Sequence, residues 1–181
     1  MIRLFIALDL PQEMKPFIAG MGGSIPGSRP VPEDQLHLTI KFIGDTDTAL
    51  LLDIKEALHT VLFPAFSIKL NGVGHFPPRG MPRVLWAGIY PSTETVALRN
   101  KIEKALADIG IERDRRKFAP HLTLCRLKNS PLKRVTRFLS DNALFNTPEF
   151  TMSEFKLYSS ILTPKGAVHT IQETFPLSEK A

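Results

Sequence analysis

Two tetrapeptides of one form, His37-Leu38-Thr39-Ile40 and His121-Leu122-Thr123-Leu124, constrain this chain more than any other feature. In a strand, successive side chains point to opposite faces, so each tetrapeptide sends its leucine and following aliphatic residue into a core. His and Thr then share the other face. A single copy would carry little weight, because a lone strand histidine is usually structural. Two copies call for two equivalent strands, and hence for a fold that can present both to one cleft.

The order of elements repeats around them. Ile2, Leu4, Ile6 and Leu8 alternate as a first strand, and Pro11 opens a helix expected to run to about Gly20 or Gly22. A loop rich in Gly, Pro and Ser (Gly23 to Pro32) leads to the strand of His37. Asp45 to Asp47 are placed to cap a helix carrying Leu51, Ile54, Leu58 and Val61 at helical spacing, and Phe66, Ile68 and Leu70 alternate as the next strand. The second half follows the same plan. Val84 to Tyr90 reads as a strand, and Ser92 caps a helix with a stripe of Leu98, Ile102, Leu106 and Ile109 that ends at Gly110. The His121 strand follows, then a helix opened by Ser130-Pro131, and last two strands near 149–158 and 166–175 joined by the turn Thr163-Pro164-Lys165-Gly166. Each half runs strand, helix, motif strand, helix, strand. The expectation is one domain over residues 1–181, built as two pseudo-twofold-related lobes with a repeat boundary near 75–83.

Composition narrows the class. With 43% hydrophobic and 23% charged residues, a chain of 181 residues reads as an ordinary globular protein with a substantial core. The net charge of +5 suits an anionic partner, nucleic acid above all. Cys125 is the only cysteine, which excludes an intrachain disulfide and a cysteine-based zinc site; inside the second motif strand it reads as a small buried hydrophobe rather than a catalytic thiol. The N-terminal apolar stretch is too short for a signal peptide and no segment approaches a membrane span, so a cytoplasmic protein is expected.

Two imidazoles suit work on a phosphodiester. In-line displacement at phosphorus needs a base to activate water on one side and an acid to protonate the leaving oxygen on the other. Rings that each reach an oxygen at about 3 Å would stand roughly 6–8 Å apart. An unperturbed pKa of about 6.5 lets one histidine be neutral and its twin protonated. Thr39 and Thr123 are placed to hydrogen-bond the non-bridging oxygens. The scheme needs no metal and no cofactor. A zinc site using a third histidine is the rival reading, but threonine is a poor ligand and no carboxylate follows either motif at metal-site spacing. His59 near a helix end, His75 in a loop and His169 in a late strand are weaker candidates.

Positive charge gathers near the second motif: Arg113, Arg115, Arg116 and Lys117 precede it, and Arg126 and Lys128 follow. Such a lip would draw a polyanion in. Arg126 is the candidate phosphate contact, although strict alternation puts it on the face opposite His121 unless a bulge intervenes or the strand ends first. Phe42 and Phe118 are candidates to stack on a base, with a core role as the alternative.

The paired motifs, their order, and the segments Arg3-Leu4-Phe5-Ile6-Ala7, Leu36 to Gly44, Phe76-Pro77, Pro82 to Trp86 and Pro120 to Arg126 resemble the two-histidine phosphoesterases. Within these, the chain resembles the RNA 2′,3′-cyclic phosphodiesterases, formerly called 2′-5′ RNA ligases. The resemblance implies a bilobal α+β fold, antiparallel sheets flanking a central cleft. It also implies RNA with 2′,3′-cyclic phosphate ends (tRNA fragments among them) as substrate, opened to 2′-phosphomonoesters. By position, His37 would protonate the departing 3′ oxygen and His121 would activate water. A weak reverse 2′-5′ ligation is implied too, since one transition state serves both directions. Two readings stand beside it: a phosphodiesterase for another small cyclic or 2′-5′-linked nucleotide, and an RNA-binding module without turnover.

Overall fold

Alternation of apolar residues in step with strand geometry builds most of the molecule. The computed structural model describes residues 1–178. Its elements in chain order are β1 (Ile2–Asp9), β2 (Ser28–Pro30), β3 (His37–Thr46), α1 (Leu51–His59), β4 (Phe66–Phe76), β5 (Val84–Tyr90) and α2 (Thr93–Asp108). The chain continues with β6 (His121–Leu127), α3 (Leu132–Asp141), β7 (Phe150–Met152), β8 (Glu154–Thr163) and β9 (Gly166–Pro176). They form two antiparallel sheets, ordered β3-β1-β8-β9 and β2-β6-β5-β4-β7.

The repeat is visible in the pairing. Each motif strand pairs with the first strand of its own half (β3 with β1, β6 with β5), and that strand pairs next with a strand from the other half (β1 with β8, β5 with β4). The two halves therefore exchange a strand. The segment 75–83 is the link of the β4–β5 hairpin within one sheet, with Phe76 opposite Val84. Division of the sequence there and division of the molecule into sheets are different partitions.

Several local expectations are corrected. The helix begun at Pro11 is a single 3₁₀ segment, Gln12–Phe17, because Pro16 inside it has no N–H to donate and Gly20 and Gly22 then turn with positive φ. Asp47 does cap, accepting from the Ala49 N–H at 3.0 Å, whereas Asp45 binds the Arg3 guanidinium at 3.0 Å. Neither Ser92 nor Ser130 makes a side-chain cap bond; α3 starts after Pro131, whose fixed φ suits a helix start. The strand expected over 149–158 is two strands, since β7 pairs with β4 and β8 with β1. His75 lies in β4, not in a loop.

The core combines the apolar faces of both sheets with α1 and α2: Leu4, Ile6, Leu8, Ile54, Leu58, Leu85, Leu98, Ile102, Leu106 and Leu122 are all fully buried. One charged pair crosses it. Lys41 of β3 donates to Glu103 of α2 at 3.0 Å, with side chains 2% and 5% exposed, and also to the Glu112 carbonyl. Together with direct contact between β3 and β6, this bond ties the His37 strand to the other half of the molecule.

Candidate active site

In both motif strands Leu38, Ile40, Leu122 and Leu124 are buried, and His37, Thr39, His121 and Thr123 are half-buried on the opposite face. The partner strands serve as rulers. Along β1, Asp9, Ala7 and Phe5 stand opposite His37, Thr39 and Phe42; along β5, Gly88, Trp86 and Val84 stand opposite His121, Thr123 and Arg126. The rulers advance by two residues at each step, but the second step on each motif strand takes three. Each motif strand thus carries a bulge after its threonine. The two residues at the bulge both turn inward, Ile40 with Lys41 and Leu124 with Cys125.

The consequence is that the fifth residue past each histidine returns to the histidine's face. Arg126, excluded by strict alternation, shares the face of His121 and Thr123. Phe42, 67% exposed, shares that of His37 and Thr39. Phe118 is different: half-buried, it packs against the core beneath the Arg99 guanidinium at 5.4 Å.

The two histidines have matched settings. His37 Nδ1 lies 2.7 Å from the Gln35 carbonyl, and His121 Nδ1 lies 2.8 Å from the Ala119 carbonyl, in each case two residues upstream. A carbonyl only accepts, so each Nδ1 carries the proton and each Nε2 is left for the solvent side. Aromatic rings pack on both: Phe5 at 5.2 Å from His37, Phe76 at 4.8 Å from His121, with Trp86 at 6.4 Å. Burial lowers the pKa of both rings below the usual imidazole value, and the carbonyl bonds partly offset it.

Around His37 the symmetry stops. His169 of β9 meets its ring edge-on at 5.7 Å and lowers the His37 pKa further, while the Asp9 carboxylate raises it. Asp9 accepts from the Tyr158 hydroxyl at 2.7 Å and the Lys156 ammonium at 2.8 Å. Asp9, Tyr158 and His169 edge a groove of about 380 Å³ lined also by Lys15, Asp34 and Ile171; His37 borders it and His121 does not. Sequence reasoning set His169 aside because its own strand shows no motif. Only the β8–β9 pairing delivers it beside His37.

Of the remaining candidates, Cys125 is fully buried, and burial pushes its thiol up to about 11, as a core residue requires. His59 ends α1 and faces Glu173 at 3.7 Å. The basic lip is partly neutralised in place: Arg116 pairs with Asp114 at 2.9 Å and Arg115 with Glu112 at 3.5 Å. No helix of the described residues is long and apolar enough to cross a membrane.

Comparison with known proteins identifies the family of the chain. The family model for the 2′-5′ RNA ligase superfamily matches residues 12–161. The RNA 2′,3′-cyclic phosphodiesterase of Archaeoglobus fulgidus is 34% identical over 174 residues, covering 93% of this chain and 96% of its own. A crystal structure from Thermus thermophilus superposes with a TM-score of 0.83 at 28% identity, over 99% of this chain and 100% of that one. Escherichia coli LigT, crystallised with 3′-AMP, gives 0.77 at 27% identity over 97% and 98%. Two bulged motif strands in matched settings and near-full-length similarity lead to one assignment: the chain belongs to the 2′-5′ RNA ligase superfamily and, within it, to the RNA 2′,3′-cyclic phosphodiesterase family.

Proposed function

We propose that this protein opens 2′,3′-cyclic phosphate ends of RNA to 2′-phosphomonoesters by acid–base catalysis at His37 and His121, without a metal. The observation that carries the reading is the matched pair of Nδ1–H bonds to backbone carbonyls. Each bond sets the tautomer and leaves an Nε2 to exchange a proton with substrate. One neutral Nε2 accepts the proton of the attacking water. The other, protonated, donates to the ribose oxygen that leaves, and the carbonyl at its Nδ1 stabilises the charged ring. Thr39 and Thr123 hydrogen-bond the non-bridging oxygens, and Arg126, brought to that face by the bulge, balances their charge.

The direction of proton transfer is taken from the resemblance, with His37 as the acid and His121 as the base. Asp9, opposite His37, raises the pKa of that ring, but by less than burial and the neighbouring His169 lower it; the position opposite His121 is Gly88. The same site run backwards would join RNA ends through a 2′-5′ bond, slowly in water.

The test is incubation of chelator-treated protein with a short RNA bearing a 2′,3′-cyclic end, followed by identification of the terminal phosphate. A 2′-phosphate is expected. A persistently cyclic end would refute turnover, and a 3′-phosphate would reverse the placement of the sugar oxygens.

A further inference from the structure

On the second sheet, the face of His121 and Thr123 does not end at Arg126. In the short strand β2, Arg29 stands directly opposite Arg126, and both are exposed. Residues directly opposite on antiparallel strands project to the same face with Cβ atoms about 4.5–5.5 Å apart, and like charges so placed destabilise the pair. Among the described residues neither arginine enters an ion pair, in contrast to Arg115 and Arg116 nearby. Two adjacent, uncompensated guanidinium groups on the face of His121 and Thr123 call for an anion.

Their positions divide the work. Thr123 to Arg126 spans two residues of β5, roughly 7 Å at strand rise. Arg126 can therefore turn back to the reacting phosphate. Arg29 lies one strand further out, on the side of β6 away from β5, so the basic row leads away from the motif. A nucleoside cyclic monophosphate has a single phosphate and nothing to place there. An RNA chain has a second one, 5′ to its terminal nucleotide.

We infer that Arg29 binds the internucleotide phosphate next to the reacting end, so that an RNA chain of two or more nucleotides gains a contact at this site that a cyclic mononucleotide cannot make. The inference rests on the function proposed above and adds a residue to it. Arg29→Ala should lower kcat/KM about tenfold on a short RNA with a cyclic end, yet leave a nucleoside 2′,3′-cyclic monophosphate within twofold. The slope of log kcat/KM against log salt should become shallower by about 0.7 for the RNA, as one lost contact to a single strand requires. Arg29→Lys should retain most of the RNA rate. Thermal stability of Arg29→Ala should be unchanged or higher, since a like-charge pair is relieved. Equal losses on both substrates, or none on either, would overturn the inference. Anisotropy binding of a short RNA ending in a 2′-phosphate separates this from the reaction itself: weakened binding by Arg29→Ala supports the contact even if wild-type protein turns over neither substrate, a result that would defeat only the proposed activity.

Discussion

At the scale of residues, the proposed chemistry depends on two imidazoles whose surroundings are alike and whose neighbours differ. His37→Ala and His121→Ala are each expected to lower turnover by at least 10²–10⁴-fold, the range typical of positioned acid–base groups, while circular dichroism and melting stay near wild type. A rate near wild type from either folded variant would remove that residue from the mechanism. Burial lowers both histidine pKa values, so the protonated acid is scarce in free enzyme at neutral pH. The kcat/KM profile should be bell-shaped with its maximum below pH 6.5. Bound phosphate, being anionic, raises both values and should move the kcat profile upward; a flat profile from pH 5 to 9 would contradict both roles. Stability follows the same shifts. The unfolded chain takes up these protons near pH 6.5 and the folded one only lower, so the two histidines contribute stability above pH 6.5 that is lost as pH falls through their folded values. Both histidines were legible because their pattern occurs twice. Arg126 was legible as a residue but not as a neighbour of His121, since alternation alone turns it inward.

At the scale of elements, the bulges decide which side chains join the site, and a glycine decides where one wall stands. The Trp86 ring covers Gly74 so closely that an added Cβ there would lie 2.2 Å from the indole. Gly74→Val must push the ring off β4, toward Thr123 and His121 on the neighbouring strand. A loss of about 1–3 kcal/mol in urea unfolding is expected, with reduced kcat/KM. Trp86 is the single tryptophan of the chain, so its emission reports the displacement directly. Unaltered emission would mean that the backbone, rather than the ring, had given way. Strand and helix positions followed from periodicity for β1, β3, β5, β6, α1 and α2. The helix expected after Pro11 is cut short because Pro16, inside it, has no N–H to donate, and the strand near 149–158 divided because adjacent apolar residues do not announce a change of sheet.

At the scale of the molecule, the two halves exchange strands and are braced by one buried ion pair. Glu103→Leu would leave the Lys41 ammonium buried without its carboxylate, at an expected cost of about 3–5 kcal/mol. For a domain of this size that is a fall in melting temperature of roughly 2–4 °C per kcal/mol. Lys41→Met combined with Glu103→Leu should recover the part due to Lys41, while the Arg99 guanidinium, which also pairs with Glu103 at 3.1 Å, retains the rest; recovery of nothing would place the cost outside the Lys41 charge. What the sequence determined by itself is local: the two motif strands, the faces that enter the core, and the residue types that can move protons at a phosphate. These are written in periods of two and 3.6 residues and in side-chain chemistry. The tertiary structure alone decided that β4 and β8 would change sheets, that bulges would return Phe42 and Arg126 to the histidine face, that His169 would meet His37, and that Arg29 would stand against Arg126. Each depends on hydrogen-bond register between segments far apart in the chain, a choice settled by the competition of whole sheets for pairing and burial rather than by any one segment's pattern.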